Sequence, residues 1–150
     1  MGTVSLAPRL RIPLALALIT ALALTLLAVF PAKAQAVSCS LTLYRPYKSG
    51  SSVVGNSTLS CSGNSGGTFY VEVWQYRGLG RWLRKASASY SIPRNSTINR
   101  GPAWRCAAGT GTQTYETRAH AFVTFKLPNG QNSVTEYSDY DGPNARITCP

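Results

Sequence analysis

"TYETRAHAFVTF", residues 114–125, alternates side chains with a period of two. Successive side chains of a β-strand point to opposite faces, so the pattern predicts a strand with one core face. The residues assigned to the core face are Tyr115, Thr117, Ala119, Ala121, Val123 and Phe125. The residues between them, including the single histidine His120, are assigned to the outer face.

The same period recurs along most of the chain after residue 36. It is present in "VSCSLTLY", "STLSCS", "FYVEVWQYR", "AWRC" and "RITC". Clusters of turn residues separate these runs, among them "KSGSS", "RGLGR", "AAGTGT" and "DGPN". No run shows a sustained helical period. We therefore predict an all-β fold, a small two-sheet antiparallel β-sandwich stapled by disulfides, with residues 37–150 as its single domain.

The segment "LPNGQ", residues 127–131, predicts a hairpin that sets the register of the opening strand. A three-residue loop with Gly130 in the left-handed region of a bulge places Val123 opposite Thr135. A two-residue Asn-Gly turn is the alternative and would shift the register by one residue. The bulge is preferred because it keeps Glu136 off the apolar face.

Residues 1–36 have the organisation of a secretory signal peptide. Arg9 and Arg11 precede an apolar run over residues 12–30, and "PAKAQA" offers small residues for cleavage. This predicts a secreted, extracellular protein whose mature chain has no membrane span. An uncleaved membrane anchor and a lipoprotein cleavage box at "AVSC" are the alternatives.

The mature region retains four cysteines, which in an exported domain predict two disulfides. We predict the pairs Cys39–Cys61 and Cys106–Cys149, because each joins inward-facing positions that are nearest in sequence. The alternative, which an immunoglobulin domain would have, is Cys61–Cys106 with Cys39–Cys149. No C-x-x-C or Cys/His cluster occurs, so neither a metal site nor a cofactor is predicted.

The charge of the chain is strongly basic. Fifteen Lys and Arg oppose five Asp and Glu, a formal net charge of +10. Loss of Arg9, Arg11 and Lys33 with the leader would leave twelve basic residues against the five acidic ones. This balance favours an anionic partner for a monomeric protein. A wall polymer or acidic polysaccharide is the first expectation, and nucleic acid ranks below it.

"VWQYRGLGRWLRK", residues 73–85, combines aromatic and basic side chains in a predicted hairpin with "GLG" at its tip. Rings offer stacking faces, and guanidinium groups pair with phosphate or carboxylate. The candidate ligand-binding residues are Trp74, Tyr76, Arg77, Arg81, Trp82, Arg84 and Lys85. The alternative is that these side chains only cover the outer face of a sheet.

A catalytic role for the histidine would need Glu116, His120 and Glu136 in a cleft with a nucleophile or metal. A flat strand face supplies neither, so we expect a solvated histidine and a protein that is not an enzyme. The predicted function is a secreted, non-catalytic binding module for an anionic polymer. A structural or protein-interaction role, such as a wall-associated subunit or an inhibitor, is the alternative.

The layout of "VSCSLTLY", "LSCS", the "GRW" hairpin, "CAAGTGTQTYETRAHAFV" and "ARITC" resembles the small secreted four-cysteine β-proteins of actinobacteria. The resemblance spans nearly the whole mature region, and its motifs are short and structural. It implies no activity and no functional residue. An immunoglobulin domain is the rival on the spacing of Cys61, Trp74 and Cys106. Against it, Trp74 alternates away from the apolar face and Trp104 stands in place of the tyrosine corner.

Overall fold

The computed structural model describes residues 37–150, so the predicted signal peptide lies outside the described residues. Within this range the chain contains no helix and forms nine strands. They are β1 (Ser38–Ser49), β2 (Ser52–Ser62), β3 (Gly66–Tyr76), β4 (Trp82–Ser91), β5 (Thr97–Arg100), β6 (Ala103–Arg105), β7 (Gly111–Lys126), β8 (Asn132–Asp139) and β9 (Ala145–Cys149). The prediction of an all-β fold is confirmed.

The strands form two antiparallel sheets, as predicted. In the first, sheet A, β2 pairs with β1 on one side and with β5 and β6 in succession on the other. In the second, sheet B, the order is β4-β3-β7-β8, and β9 also pairs with β7. The small β5 and β6 therefore share one edge of sheet A, and β8 and β9 share one edge of sheet B.

Strand β7 contains the opening stretch and lies at the centre of sheet B. Its inner face is fully buried from Tyr115 to Val123, as the alternation predicts, and only Phe125 at its end is half-buried. The turn after β7 also follows the prediction. The Leu127 amide donates to the carbonyl of Gln131 at 2.8 Å, and Gly130 has a φ of 82°. Val123 pairs with Thr135, which confirms the register set by the bulge.

The core lies between the sheets in two neighbouring clusters of apolar side chains. One packs Leu59 of sheet A against Phe69, Val71 and the alanines of β7. The other packs Val53 against Val73 and Tyr115. Gly55 makes room for this contact, since a Cβ at that position would lie 2.7 Å from a methyl of Val73.

The disulfides pair as predicted, Cys39 with Cys61 and Cys106 with Cys149, and the immunoglobulin pairing is therefore wrong. The first bridge joins directly opposed residues of β1 and β2 inside sheet A. The second connects Cys106, the residue after β6 of sheet A, to Cys149 of β9 in sheet B. It thus links the two sheets and holds β9 in place.

Strands β3 and β4 form the predicted hairpin, with a tip at Gly78, Leu79 and Gly80. One residue of β4 has no partner across the hairpin, because Val73 pairs with Ala86 while Trp74 pairs with Arg84. The intervening Lys85 is the extra residue of a β-bulge. The sequence pattern had not indicated this irregularity.

No helix among residues 37–150 has the length and apolar character needed to span a membrane.

Candidate functional site

The outer face of sheet B collects four of the seven predicted ligand-binding residues. Trp82 lies opposite Tyr76 across the hairpin, with ring centroids 5.2 Å apart, and Arg84 lies opposite Trp74. The bulge makes this arrangement possible, since it restores both Trp82 and Arg84 to the face of β4 that points away from the core.

Glu72 holds the polar groups of this face together. Its side chain is buried, and it accepts a hydrogen bond from Trp74 Nε1 at 2.7 Å and another from Arg84 Nη1 at 2.7 Å. A buried carboxylate is stable only when it is paired in this way. The charge of Arg84 is therefore compensated within the protein.

A second ion pair lies beside the first. Arg118 Nε donates to Glu116 Oε1, and its guanidinium carbon lies 4.5 Å from the ring centroid of Trp74 and 5.5 Å from that of Trp82. Burial raises the pKa of Glu116, the hydrogen bond and charge of Arg118 oppose that rise, and the charge of Asp141 adds to it. Arg118 thus covers two indole rings while neutralising a buried acid.

The remaining predicted residues lie elsewhere. Arg81 is exposed near the hairpin tip. The Lys85 ammonium lies 4.6 Å from the ring centroid of Trp104, on the sandwich side of β4, and its pKa is lowered by burial and by the nearby charge of Arg77. The predicted set is therefore divided between an aromatic face, whose polar groups are paired within the protein, and cations that lie apart from it. Ligand binding by these residues stays a prediction.

His120 lies on the outer face of β7, as predicted, but it is half-buried among rings rather than freely solvated. Its ring stacks on Tyr70 at 4.7 Å between centroids with an interplanar angle of 12°, and Phe122 meets it edge-on. Its Nδ1 atom is buried without a hydrogen-bond partner in residues 37–150. Neighbouring aromatic side chains, which alternation alone does not reveal, account for this burial.

The two glutamates considered for acid–base chemistry, Glu116 and Glu136, do not converge on this histidine. Glu116 is engaged by Arg118, while Glu136 is exposed opposite Phe122 on the neighbouring strand. None of Glu116, His120 and Glu136 lines either of the basic grooves that border β9.

A basic groove that sequence reasoning did not identify lies between the end of β1 and β9. It measures about 490 Å³, and its cations are Arg45, Lys48 and Arg146. Tyr47, which is 52% exposed, also lines it, and Thr148 adds a hydroxyl. We call this the β1–β9 groove.

A second groove of about 510 Å³ lies between the hairpin and the start of β7. It is lined by Tyr76, Arg77, a polar segment over residues 112–114, and again Arg146. We call it the β3–β7 groove. Arg146 pairs with Thr114 across β7 and β9 and so lies on the boundary between the two grooves.

The charge in these grooves is not balanced by acids. Among residues 37–150, no carboxylate lines either groove. Two of the five acids, Glu72 and Glu116, are buried by neighbouring side chains on the outer face of sheet B. The other three lie on β8 or just after it. The alternation in "ARITC" places Ala145 and Ile147 on the inner face. This pattern could have predicted that Arg146 points outward.

Comparisons with family models, curated proteins and solved structures gave no match to this chain. Residues 37–150 also contain no group of three or more His, Cys, Asp or Glu side chains arranged to hold a metal ion. The candidate site therefore consists of the two adjoining grooves, with the aromatic face of the hairpin beside them.

Proposed function

We propose that the protein is a secreted, non-catalytic module that binds an anionic polymer of the cell surface or its surroundings as a monomer. The two disulfides are compatible with an extracellular location. The observation that carries the proposal is the pair of adjoining grooves, which contain four cations and no carboxylate from the described residues.

The grooves suit a polymer better than a compact anion. Arg45, Arg77 and Arg146 are spread over two openings that share Arg146 as a lining residue, so their charges can act on successive groups of an extended ligand. Neighbouring like charges in a concave surface raise the local concentration of a polyanion and speed its association. This attraction weakens as salt rises.

The hairpin contributes to the proposed site through Tyr76 and Arg77, which line the β3–β7 groove. Arg84 contributes less, because its guanidinium is committed to Glu72. Arg81, exposed near the tip, extends the basic surface beyond the groove. The structure thus favours a binding site that is displaced from the centre of the aromatic face towards β9.

The experiment is retention of the purified protein on immobilised polymers at low and high salt. The polymers are peptidoglycan with and without teichoic acid, chitin as a neutral reference, and DNA. The test variant is Arg45→Ala/Arg146→Ala, and the control is Arg94→Ala/Arg100→Ala, which removes the same charge outside both grooves.

We expect retention on anionic polymers at low salt and release at high salt. The groove variant should bind about tenfold more weakly, as two exposed ion pairs together are worth roughly 1 to 2 kcal/mol. The control should bind like the wild type. Equal losses in both variants would mean that net charge alone acts, and failure to retain any anionic polymer would refute the proposal.

A structural or protein-interaction role is the second candidate, and the edge of sheet B favours it. The second half of β4, residues 86–91, has neither charge nor proline, and no other strand pairs with its outer edge in residues 37–150. Unprotected edges of this kind can accept a strand from a partner. Ser89→Lys would place a charge there, and loss of a self-associated or co-purifying species in sedimentation measurements would support this role over polymer binding.

A further inference from the structure

The two grooves share one lining side chain. Arg146 lines both of them, and it lies on β9, which is paired with β7 and fixed at Cys149 by the bridge to Cys106. The backbone that carries this cation is therefore held in place before a ligand binds. Pre-positioned groups bind with a smaller loss of conformational entropy.

Each groove also repeats the same combination of side chains. The β1–β9 groove has Tyr47 beside Arg45 and Lys48, and the β3–β7 groove has Tyr76 beside Arg77. Tyr47 and Tyr76 are 52% and 36% exposed. A tyrosine presents an apolar ring face and a polar tip, and an arginine fork pairs with a carboxylate or sulfate.

This combination matches a ligand in which every unit has both a ring and an anionic group. A polymer of acidic sugars has that structure, with ring faces to lie on tyrosine and hydroxyls to reach Thr148 and Gln113. A glycerol phosphate polymer has the charge but lacks the rings. Each groove falls in the size range of small-molecule sites, roughly 300 to 1,000 Å³.

We infer that the two grooves are consecutive subsites for one acidic polysaccharide chain, and that Arg146 contacts this chain where it passes from one groove to the other. This inference rests on the proposed function and identifies its ligand class. A chain long enough to enter both grooves binds the second intramolecularly, at a high effective concentration. A monosaccharide or disaccharide fills one subsite and gains nothing from the other.

The test is a length series of oligogalacturonates, from monomer to decamer, titrated calorimetrically into the protein at one fixed ionic strength. Polyphosphate and polyglycerol phosphate of matched charge are the ring-free comparisons. Tyr47→Leu removes one stacking face without changing charge, Arg146→Ala removes the junction, and Arg100→Ala on β5 is the control with equal charge loss.

The affinity of the wild type should rise at least tenfold over one or two units of length, at the point where the chain first spans both grooves. Arg146→Ala should abolish the step, and Arg100→Ala should keep it. Tyr47→Leu should weaken galacturonate binding several-fold and leave polyphosphate binding unchanged. Thermal unfolding of each variant checks that the fold is intact.

The failure of this inference is distinguishable from failure of the proposed function. If affinity rises smoothly with charge and polyglycerol phosphate binds as tightly as galacturonate, the protein binds polyanions but the two-subsite inference is overturned. A step that survives Arg146→Ala also overturns it. If no anionic polymer binds at low salt, the proposed function itself fails.

Discussion

The two disulfides provide a matched pair of perturbations. Cys106–Cys149 closes a separation of 43 residues and Cys39–Cys61 one of 22. Each pair combines one buried cysteine, Cys149 or Cys61, with one half-buried partner, so replacement by alanine removes similar packing from each. The difference between the two double variants therefore isolates the effect of loop length on the unfolded chain.

The magnitude follows from those separations. Restriction of the unfolded chain is worth about 4.0 kcal/mol for the longer loop and about 3.4 kcal/mol for the shorter one at 25 °C. Cys106→Ala/Cys149→Ala should thus lose about 0.6 kcal/mol more unfolding free energy than Cys39→Ala/Cys61→Ala. It should also weaken polyanion binding, because it releases β9 and Arg146 from sheet A.

Urea denaturation of the wild type and both variants, followed by tryptophan fluorescence, measures the unfolding free energies. Polymer retention of the folded variants measures the second effect. A restriction of the unfolded chain by loop length is ruled out if the longer-loop variant is the more stable of the two, or if both bridges contribute less than about 1 kcal/mol. Unchanged retention by Cys106→Ala/Cys149→Ala would refute the link between this bridge and the grooves.

Three further predictions concern acid titration, close packing and the core. Because burial raises the pKa of Glu116 above 4.5, the native state binds that proton more tightly than the unfolded chain, so this group's contribution to stability falls as pH rises from about 4.5. Glu116→Gln should flatten that part of a urea-derived stability profile, and parallel profiles would contradict the assignment. Gly101→Ala would place a Cβ 1.7 Å from the carbonyl oxygen of Gly55, so β2 and the β5–β6 connection must separate. We expect a loss of at least about 1 to 3 kcal/mol in urea unfolding, and a neutral result would contradict the close approach. Phe69→Ala, at a fully buried position, should cost about 3 to 5 kcal/mol in the same assay, and the 40% exposed Phe122→Ala far less, so equal costs would contradict the assignment of faces.

Local patterns predicted much of the fold, because the decisive signals were short-range. The alternation around Ala119 identified β7, the turn at "LPNGQ" set its register against β8, and the inward-facing cysteines indicated their bridges. Each of these features depends on residues adjacent along a strand or across one turn. The prediction of an outer-face His120 followed from the same alternation.

The grooves could not be predicted in that way, because they depend on long-range contacts. Arg45 and Arg146 lie at opposite ends of the domain sequence and meet only because β9 returns beside β1. The burial of Glu72 likewise depends on Trp74 and Arg84, and the second of these faces it only because of the bulge. Composition indicated a basic protein, but the topology determines where basic side chains without a carboxylate partner lie close together.

The unpaired Lys85 in β4 also governs what the hairpin displays. Beyond it, the odd-numbered Ser87 and Ser89 point outward, whereas on the tip side the even-numbered Trp82 and Arg84 do. A regular strand that kept Lys85 without the bulge would turn Trp82 and Arg84 towards the sandwich and present Leu83 in their place. Deletion of Lys85 would instead leave a regular strand with Trp82 and Arg84 still facing outward. The side chains that this hairpin displays therefore depend on the bulge as well as on residue identity. The bulge absorbs the extra residue, so a strand that is shorter by Lys85 would display the same face, and such sequences must be aligned by face rather than by position.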